Sequence, residues 1–360
     1  MTIPYGRQSI GPDDIAAVEK IFSSPWLTQG PVVPEFEAAV AEKVGAEFAV
    51  AFTSATAALH GCTAAAGIKP GDTVYTSPIT FIASANCARY VGATPALLDI
   101  DPATWNIDPR DIDQRISALV AVDFAGLPMQ WEGLTSRPRV IIEDAAHALG
   151  ARAAAGPVGN CAVADMTVFS FHPVKPITTG EGGMVTTNDP ELAERLRSFR
   201  SHGIQRVDDP ESWEYDAATL GYNYRMTELQ ASLGLSQLAK LDSFILRRNE
   251  LADRYRELLG DLPIDLPPAA QADCTHGYHL FVIGVDNRRE VFRGLRRAGI
   301  GVQVHYIPVH HHSVSSDLNI PEGGFPNAEA YYERAISLPI YPDFTFDEQD
   351  QVVKTLRDLL

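Results

Sequence analysis

Short apolar runs alternate with helix-forming segments along residues 48–185, and this alternation restricts the possible folds of the 360-residue chain more than any other feature. Helix-forming segments such as residues 56–66 and 82–91 separate several of the runs. Such alternation predicts an α/β fold in which helices cover both faces of a mainly parallel sheet. The predicted strands are residues 48–53, 73–77, 94–99, 118–123, 140–143, 167–171 and 184–187.

The pattern changes after about residue 192, where helical periodicity dominates. A proline-rich stretch at residues 262–268 indicates a linker or an edge. We therefore predict a large domain over residues 1–245, which includes an N-terminal segment, and a smaller C-terminal α+β domain over residues 246–360. In this part of the chain the predicted helices are residues 191–199, 227–239, 241–259, 289–298, 327–336 and 347–359, and the predicted strands are residues 279–285 and 301–305.

The net charge of −17 argues against nucleic acid or an anionic membrane as a general partner, since both require a basic surface. A small anionic substrate, by contrast, needs only a local positive site. The four cysteines are scattered without a C-x-x-C pair, which is typical of reduced thiols. The N-terminus lacks the features of a secretory signal, and no apolar run approaches membrane-spanning length. We therefore expect a cytoplasmic protein.

Lys175 is placed among apolar residues, and two glycines, Gly182 and Gly183, follow it closely in the sequence. For an arbitrary lysine the ordinary interpretation is a solvated side chain on a loop. A lysine removed from water, however, has a depressed pKa and becomes a nucleophile for carbonyl groups. Glycines clustered in this way let the backbone pass close to a bulky group. We therefore expect Lys175 to be a reactive amine.

Asp144 is a second candidate, because it directly follows the strand-like run at residues 140–143. From this segment alone, a helix N-cap is the more common use of such an aspartate. The functional alternative is a buried carboxylate that pairs with a cationic ring nitrogen. His147, three residues later, would lie on the same face of a helical turn and contact the same ligand. A partly buried structural histidine is an equal alternative.

The Ser-Ala-Thr segment at residues 54–56 follows a predicted strand and opens a predicted helix. Backbone N–H groups at such a helix start bind phosphate, although Ser and Thr are also common N-caps. Ser170 would add a hydroxyl near Lys175. Phe81 is either ordinary core or a wall on which a planar cofactor stacks. An amine, a carboxylate, an anion site and an aromatic wall together are the parts that hold pyridoxal 5′-phosphate (PLP).

At these motifs the chain resembles the PLP-dependent nucleotide-sugar aminotransferases of the DegT/DnrJ/EryC1/StrS family, which have the fold type I, aspartate aminotransferase-like architecture. The resemblance extends from the Trp-Leu-Thr-Gln-Gly segment at residues 26–30 to the Ser-Leu-Pro segment at residues 337–339. Its most specific parts are residues 170–183, the Glu-Asp-Ala-Ala-His segment at residues 143–147, and the Gly-Tyr-Asn-Tyr-Arg-Met-Thr-Glu segment at residues 221–228.

The resemblance implies that Lys175 forms the Schiff base with PLP and that Asp144 pairs with the pyridine nitrogen. It also implies that Phe81 stacks on the ring and that His147 lies near the ring hydroxyl. Glutamine is frequent at the position of His147 in this family, and either side chain can form a hydrogen bond with the ring oxygen. The phosphate would be held by Ala55, Thr56 and Ser170.

The resemblance further implies a homodimer with shared active sites, because Asn223 in such enzymes reaches the phosphate of the partner subunit. The nucleotide-sugar substrate would be faced by Thr28, His305 and Tyr306.

Transamination is the implied reaction, because relatives that perform dehydration replace the lysine with histidine, and this chain keeps Lys175. L-glutamate is the expected amino donor. Residues 171–179, 201–203 and 234–238 are most similar to the 4-aminotransferases of pseudaminic acid biosynthesis, which act on UDP-2-acetamido-2,6-dideoxy-β-L-arabino-hexos-4-ulose. Related enzymes aminate UDP-D-xylo-4-hexulose, GDP-4-keto-6-deoxymannose or keto-cyclitols, and the fold does not choose among these substrates.

Three consecutive histidines at residues 310–312 suggest a metal site as an alternative function. Adjacent histidines do not easily all reach one ion, and no nearby carboxylate completes a tetrahedral set, so we expect a polar loop and no metal. Two further alternatives are a PLP-dependent sugar dehydratase and a PLP-binding homologue without turnover. The second has no support in the sequence, since every expected cofactor contact is present.

Overall fold

The structure is a computed structural model that describes residues 2–112, 116–206 and 212–360. Within these ranges the helices are α1 (Pro12–Phe22), α2 (Val32–Val44), α3 (Ala55–Ala65), α4 (Ala83–Tyr90), α5 (Pro190–Phe199), α6 (Glu228–Leu238), α7 (Leu241–Leu259), α8 (Arg288–Arg297), α9 (Pro326–Arg334) and α10 (Phe346–Arg357). The strands are β1 (Phe48–Phe52), β2 (Thr73–Thr76), β3 (Thr94–Leu97), β4 (Ala118–Val122), β5 (Val140–Asp144), β6 (Arg152–Ala153), β7 (Gly156–Pro157), β8 (Met166–Ser170), β9 (Gly183–Thr187), β10 (Ile204–Arg206), β11 (Tyr215–Ala217), β12 (Phe281–Gly284) and β13 (Ala335–Leu338).

A seven-stranded sheet in the order β1-β9-β8-β5-β4-β2-β3 confirms the predicted α/β fold, and each of its strands overlaps a predicted one. Strand β9 is antiparallel to both of its neighbours, whereas the other adjacent pairs are parallel. The carboxyl ends of β1, β5 and β8 therefore lie at the same edge. Ligands bind at this edge in open α/β sheets.

Both faces of this sheet are covered by helices, because its strands are apolar on both sides. On one face, buried residues of α3, α4 and α5 pack against the strands. On the other face, residues of α2 and α6 pack against β1, β8 and β9. The helix α3 begins where β1 has just ended, so the N-terminus of α3 lies at the ligand-binding edge.

The C-terminal part of the chain has a hydrophobic core of its own, built on the antiparallel pair β12 and β13. Helix α7 connects this core to the large domain. Leu241 and Ile245 pack against the large domain, whereas Leu251 and Tyr255 are buried in the C-terminal core. We propose that the boundary between the two domains lies within this helix, near residue 245.

The N-terminal segment packs against the C-terminal core, although it is far from that core in sequence. Ile3 is buried there, and its backbone N–H donates to the carbonyl oxygen of Gly299 at 2.9 Å. Further along, the N–H of Ile340 donates to the carbonyl oxygen of Tyr5 at 3.1 Å. These bonds bring Tyr5 to the edge of the sheet where the strands end.

Two predictions in the C-terminal part are wrong. Residues 301–305 do not form a strand, because only Gln303 forms an isolated bridge, to Ser337. The helix predicted over residues 327–336 ends at Arg334, and Ala335–Leu338 form the strand β13 instead. Pairing with β12 buries this segment in the core, and that tertiary contact outweighs helical propensity. Within the ranges that the structure describes, we find no helix with the length and apolar character needed to cross a membrane.

Candidate active site

A cavity of about 630 Å³ opens at the carboxyl edge of the sheet. It brings together residues that are up to 301 positions apart in the sequence, from Tyr5 to Tyr306. Of the residues predicted to form the site, those that line this cavity are Ala55, Thr56, Phe81, Asp144, His147, Ser170, Lys175, His305 and Tyr306.

One end of the cavity is formed by the start of α3. Ser54 is the N-cap of this helix, and its hydroxyl oxygen accepts the N–H of Ala57 at 3.1 Å. The N–H groups of Ala55 and Thr56 have no acceptor within the helix, because the first N–H groups of any α-helix lack one. Together with the helix dipole they form a site suited to an anion.

Gly183 lets the strand β9 pass close to the backbone at the start of α3. A Cβ atom at position 183 would lie 2.5 Å from the carbonyl carbon of Ser54 and 2.6 Å from the nitrogen of Ala55. No side chain fits there, so β9 can approach the turn before α3 only with glycine at this position. Gly183 therefore serves the packing of backbone against backbone, whereas a Cβ atom at Gly182 would meet the side chains of Thr179 and Met226.

The amine of Lys175 and the carboxylate of Asp144 belong to this same cavity. Burial lowers the pKa of Lys175 to about 8, although the negative charge of Asp144 counters part of that shift. Burial raises the pKa of Asp144, while hydrogen bonds from Ser84 and Ala146 and the charge of Lys175 oppose the rise. The site thus contains an amine that loses its proton readily and a carboxyl group held away from water.

Asp144 ends β5, and both of its carboxylate oxygens are bonded to neighbouring residues. Its Oδ2 atom accepts the hydroxyl of Ser84 at 2.6 Å, and its Oδ1 atom accepts the backbone N–H of Ala146 at 3.2 Å. Ser84 lies in the first turn of α4 and is completely buried. The sequence analysis missed Ser84, because a serine in a helix carries no sign of the distant carboxylate that it contacts.

His147 is buried beside Asp144 and has a defined tautomer. Its Nδ1 atom accepts the backbone N–H of Ala125 at 3.2 Å, so in the neutral ring the proton must be on Nε2. The Nε2 atom lies 3.0 Å from the hydroxyl oxygen of Tyr306 and donates to it. Burial and the nearby charge of Lys175 hold the pKa of His147 well below its usual value. His147 is therefore a neutral donor that faces the cavity.

Phe81 lies just before α4 and lines the cavity with an exposed ring. Its side chain is 56% exposed, which is unusual for a phenylalanine and excludes an ordinary core role. The nearest aromatic neighbour is the ring of Tyr306, with a centroid distance of 6.1 Å. A flat ligand could stack on the open face of Phe81.

The C-terminal part of the chain contributes histidines and a tyrosine to the cavity. The Nδ1 atom of His305 lies 2.8 Å from the hydroxyl of Ser337, and burial together with the charge of Lys175 lowers the pKa of His305 to about 3. His279 and Tyr5 also line the cavity, and the sequence analysis missed both. The ring of His279 lies 4.4 Å from that of His147, and its Nδ1 atom has no hydrogen-bond partner among the described residues.

Two predicted site residues lie elsewhere on this chain. Thr28 and Asn223 are both exposed, and neither is among the described residues that line the cavity. Thr28 forms an isolated bridge with Thr227, and Asn223 forms one with Ser201. The backbone thus holds both residues in defined positions on the surface.

The histidines at residues 310–312 do have a carboxylate close by, contrary to the expectation from the sequence. The carboxylate oxygen Oε1 of Glu329, from α9, lies 2.6 Å from Nε2 of His310 and 2.8 Å from Nε2 of His311. The three potential ligand atoms lie within 4.8 Å of one another. Both imidazoles bond to one oxygen atom, so the contact is a hydrogen-bonded cluster between a loop and a helix.

The comparison with known proteins agrees with this geometry. The sequence profile of the DegT/DnrJ/EryC1/StrS aminotransferase family matches residues 8–357. The spore coat polysaccharide biosynthesis protein SpsC of Bacillus subtilis (strain 168) is 39% identical over an alignment 379 positions long, which covers 99% of this chain and 97% of that protein.

Two solved structures have the same fold over the full chain. Helicobacter pylori PseC, an aminotransferase involved in the biosynthesis of pseudoaminic acid, is 31% identical with a TM-score of 0.91, and the match covers 100% of this chain and 99% of that one. Spr1654 of Streptococcus pneumoniae, in its PLP form, is 29% identical with a TM-score of 0.92, and the match covers 100% and 98% of the two chains. The chain belongs to the DegT/DnrJ/EryC1/StrS aminotransferase family.

Proposed function

We propose that this chain transfers the amino group of L-glutamate to a nucleotide-linked 4-keto-6-deoxy sugar at C4. As a member of its family it is a PLP-dependent sugar aminotransferase. The observation that supports the assignment most directly is one cavity that contains the Lys175 amine, with its lowered pKa, and the buried carboxylate of Asp144. An amine for a carbonyl group and a carboxylate for a ring nitrogen are the two charged groups that PLP chemistry needs.

The residues of the cavity fit PLP. Its phosphate is an anion, and the N–H groups of Ala55 and Thr56 with the hydroxyl of Ser170 would hold it. Its flat ring would stack on the exposed face of Phe81, and its ring nitrogen would pair with Asp144. When bound, PLP supplies an aldehyde that receives the amino group and a ring that withdraws electrons from the reacting carbon.

Lys175 would move the proton at the reacting carbon. An amine with a pKa of about 8 is partly unprotonated near neutral pH, so it can both accept and return a proton. Asp144 would hold the proton on the ring nitrogen, since a carboxylate favours a cationic partner. His147 would donate from Nε2 to the ring oxygen in place of the Tyr306 hydroxyl, because its Nδ1 atom is already occupied by Ala125.

We propose a homodimer in which each subunit completes the site of the other. The support is the exposed position of Asn223, which does not line the cavity formed by the described residues of its own chain. In a symmetric dimer such a residue can reach the partner's cavity. We extend this to Thr28, which is exposed in the same way, whereas His305 and Tyr306 would face the sugar from within the same chain.

Our best candidate for the sugar is UDP-2-acetamido-2,6-dideoxy-β-L-arabino-hexos-4-ulose, the keto sugar of pseudaminic acid biosynthesis. Its support is the motif similarity of residues 171–179 and the 31% identity to PseC over the full chain. The similarity to SpsC supports polysaccharide biosynthesis more broadly.

A panel of keto sugars tests this choice. The purified enzyme is loaded with PLP and supplied with L-glutamate. It is then given one keto compound at a time: the UDP-linked candidate, UDP-D-xylo-4-hexulose, GDP-4-keto-6-deoxymannose or a keto-cyclitol. The mass of each product is measured by mass spectrometry. We expect UDP-2-acetamido-2,6-dideoxy-β-L-arabino-hexos-4-ulose to gain an amine at the highest kcat/KM of the four compounds. Preference for the GDP-sugar or the cyclitol would reject the pseudaminic branch, and loss of water without gain of an amine would indicate a dehydratase.

A further inference from the structure

We propose that Ser84 is a positioning residue that fixes the orientation of the Asp144 carboxylate toward its ligand. The inference rests on the proposed function, in which Asp144 binds the ring nitrogen of PLP. Ser84 is assigned no role by the motifs of the sequence. It does not line the cavity among the described residues, so Ser84 acts on the ligand only through residues that it contacts, of which Asp144 is the closest.

The direction of the hydrogen bond follows from counting protons. The hydroxyl oxygen of Ser84 lies 2.6 Å from Oδ2 of Asp144, 2.7 Å from Oγ1 of Thr80 and 3.2 Å from the carbonyl oxygen of Phe81. Ser84 has one hydroxyl proton, and the carboxylate is both the closest and the most strongly accepting partner. Thr80 must then donate its own proton to Ser84. The two hydroxyls form a chain of hydrogen bonds that runs from Thr80 through Ser84 to Asp144.

The hydroxyl groups of this hydrogen-bond chain are buried. Ser84 is 0% exposed, so water does not reach its hydroxyl, whereas Thr80 is 3% exposed and lines the cavity. A hydrogen bond from a buried neutral donor to a carboxylate is stronger than one between two neutral groups. It also opposes the effect of burial, which on its own would favour the protonated form of Asp144.

The position of Ser84 connects two parts of the site. Ser84 is in the first turn of α4, three residues after Phe81, whose ring lines the cavity. The backbone N–H of Ser84 donates to the carbonyl oxygen of Phe81 at 3.1 Å. One helical turn therefore holds both the aromatic wall and the donor that orients Asp144.

The experiment measures the affinity of the apoenzyme for PLP by fluorescence titration in the wild type and five variants. We expect S84A to raise the Kd about tenfold or more, which corresponds to the loss of one charge-assisted hydrogen bond. The variant S84T keeps a hydroxyl and should stay within about threefold of the wild type. The variant S232A removes another buried serine hydroxyl, which donates to the carbonyl oxygen of Ala17 at 2.7 Å, and should leave the Kd unchanged.

Two further variants, D144A and the double variant D144A/S84A, show whether the effect of Ser84 depends on Asp144. If Ser84 acts through Asp144, S84A has no further effect on the Kd once Asp144 is absent. A wild-type Kd in S84A, or an equal effect of S84A with and without Asp144, would overturn the proposal. If S84A does not fold, T80V replaces it, because it removes the proton donor to Ser84 and should raise the Kd several-fold. Since Thr80 also lines the cavity, T80V is compared with D144A/T80V, and an equal effect in both backgrounds would overturn the proposal. A wild-type Kd in D144A would instead reject the proposed role of Asp144, whatever Ser84 does.

Discussion

The Nε2 atom of His147 lies 3.0 Å from the hydroxyl oxygen of Tyr306, and the backbone N–H of Ala125 occupies its other ring nitrogen. This arrangement requires a neutral ring with its proton on Nε2. The lowered pKa of His147, which results from burial and from Lys175, keeps the ring neutral as the pH falls through the usual histidine range.

We therefore predict that ¹⁵N NMR of labelled histidine shows the Nε2–H tautomer of His147 from about pH 5 to about pH 8. The signal is assigned by its loss in H147Q, which keeps a side-chain N–H donor. The control is His202, a surface histidine, whose signal should survive in H147Q. A charged imidazolium signal for His147 near neutral pH would contradict the assignment.

Glu143 gives a prediction about the pH dependence of stability. Burial raises its pKa from 4.5 to about 7, although a hydrogen bond from Thr167 opposes this. The folded state then binds a proton that the unfolded state releases, so the free energy of unfolding falls as the pH rises from about 4.5 to about 7, by up to about 1.4 kcal/mol per pH unit. In urea unfolding across this window, E143Q should show a shallower fall. The exposed control E132Q should behave as the wild type.

Gly183 should not tolerate a side chain. A Cβ atom there would lie 2.5 Å from the backbone of Ser54, so G183A must push β9 away from the start of α3. We expect a loss of about 1–3 kcal/mol in the free energy of unfolding, together with weaker binding of PLP. The control is G6A, since the nearest atom to its added Cβ, in Val174, is 3.6 Å away. Unchanged thermal stability and PLP affinity in G183A would contradict the proposed role of Gly183 at the start of α3.

The shared site of the proposed dimer can be tested by complementation. K175A and N223A should each be inactive alone, because each lacks one part of every site. If Asn223 serves the partner subunit, a mixture refolded at equal amounts should regain about a quarter of the wild-type activity, since half of the dimers are mixed and each contains one intact site. A mixture that stays inactive although light scattering shows dimers would mean that Asn223 acts within its own chain.

The parallel part of the fold was predictable because each strand of the central sheet is a short apolar run that packs between two layers of helices. The ends of these strands also indicated Asp144 and Ser170 as site residues. The sequence failed where a segment depends on a distant partner. Ala335–Leu338 continue a helical pattern, yet they pair with β12 and become a strand.

The residues that support the site from outside the cavity were not predictable, for the same reason. Ser84 and Asp144 are 60 residues apart, and only the packing of α4 against the sheet brings them together. Glu329 likewise approaches His310 and His311 from another helix, which no spacing along the chain would indicate. Most of the predicted cavity residues lie in sequence motifs, whereas Ser84 and Glu329, like the cavity residues Tyr5 and His279, are brought into place by tertiary structure.

The central claim is that Lys175 transfers protons in an amino-transfer reaction, and its most direct test is the half-reaction with L-glutamate. The purified enzyme is loaded with PLP, L-glutamate is added without a sugar, and the visible absorption and the release of 2-oxoglutarate are recorded. We predict that the wild type loses its visible band as one 2-oxoglutarate is released per active site, and that K175A shows neither the band nor the product. Release of 2-oxoglutarate by K175A at the wild-type rate would contradict the assignment.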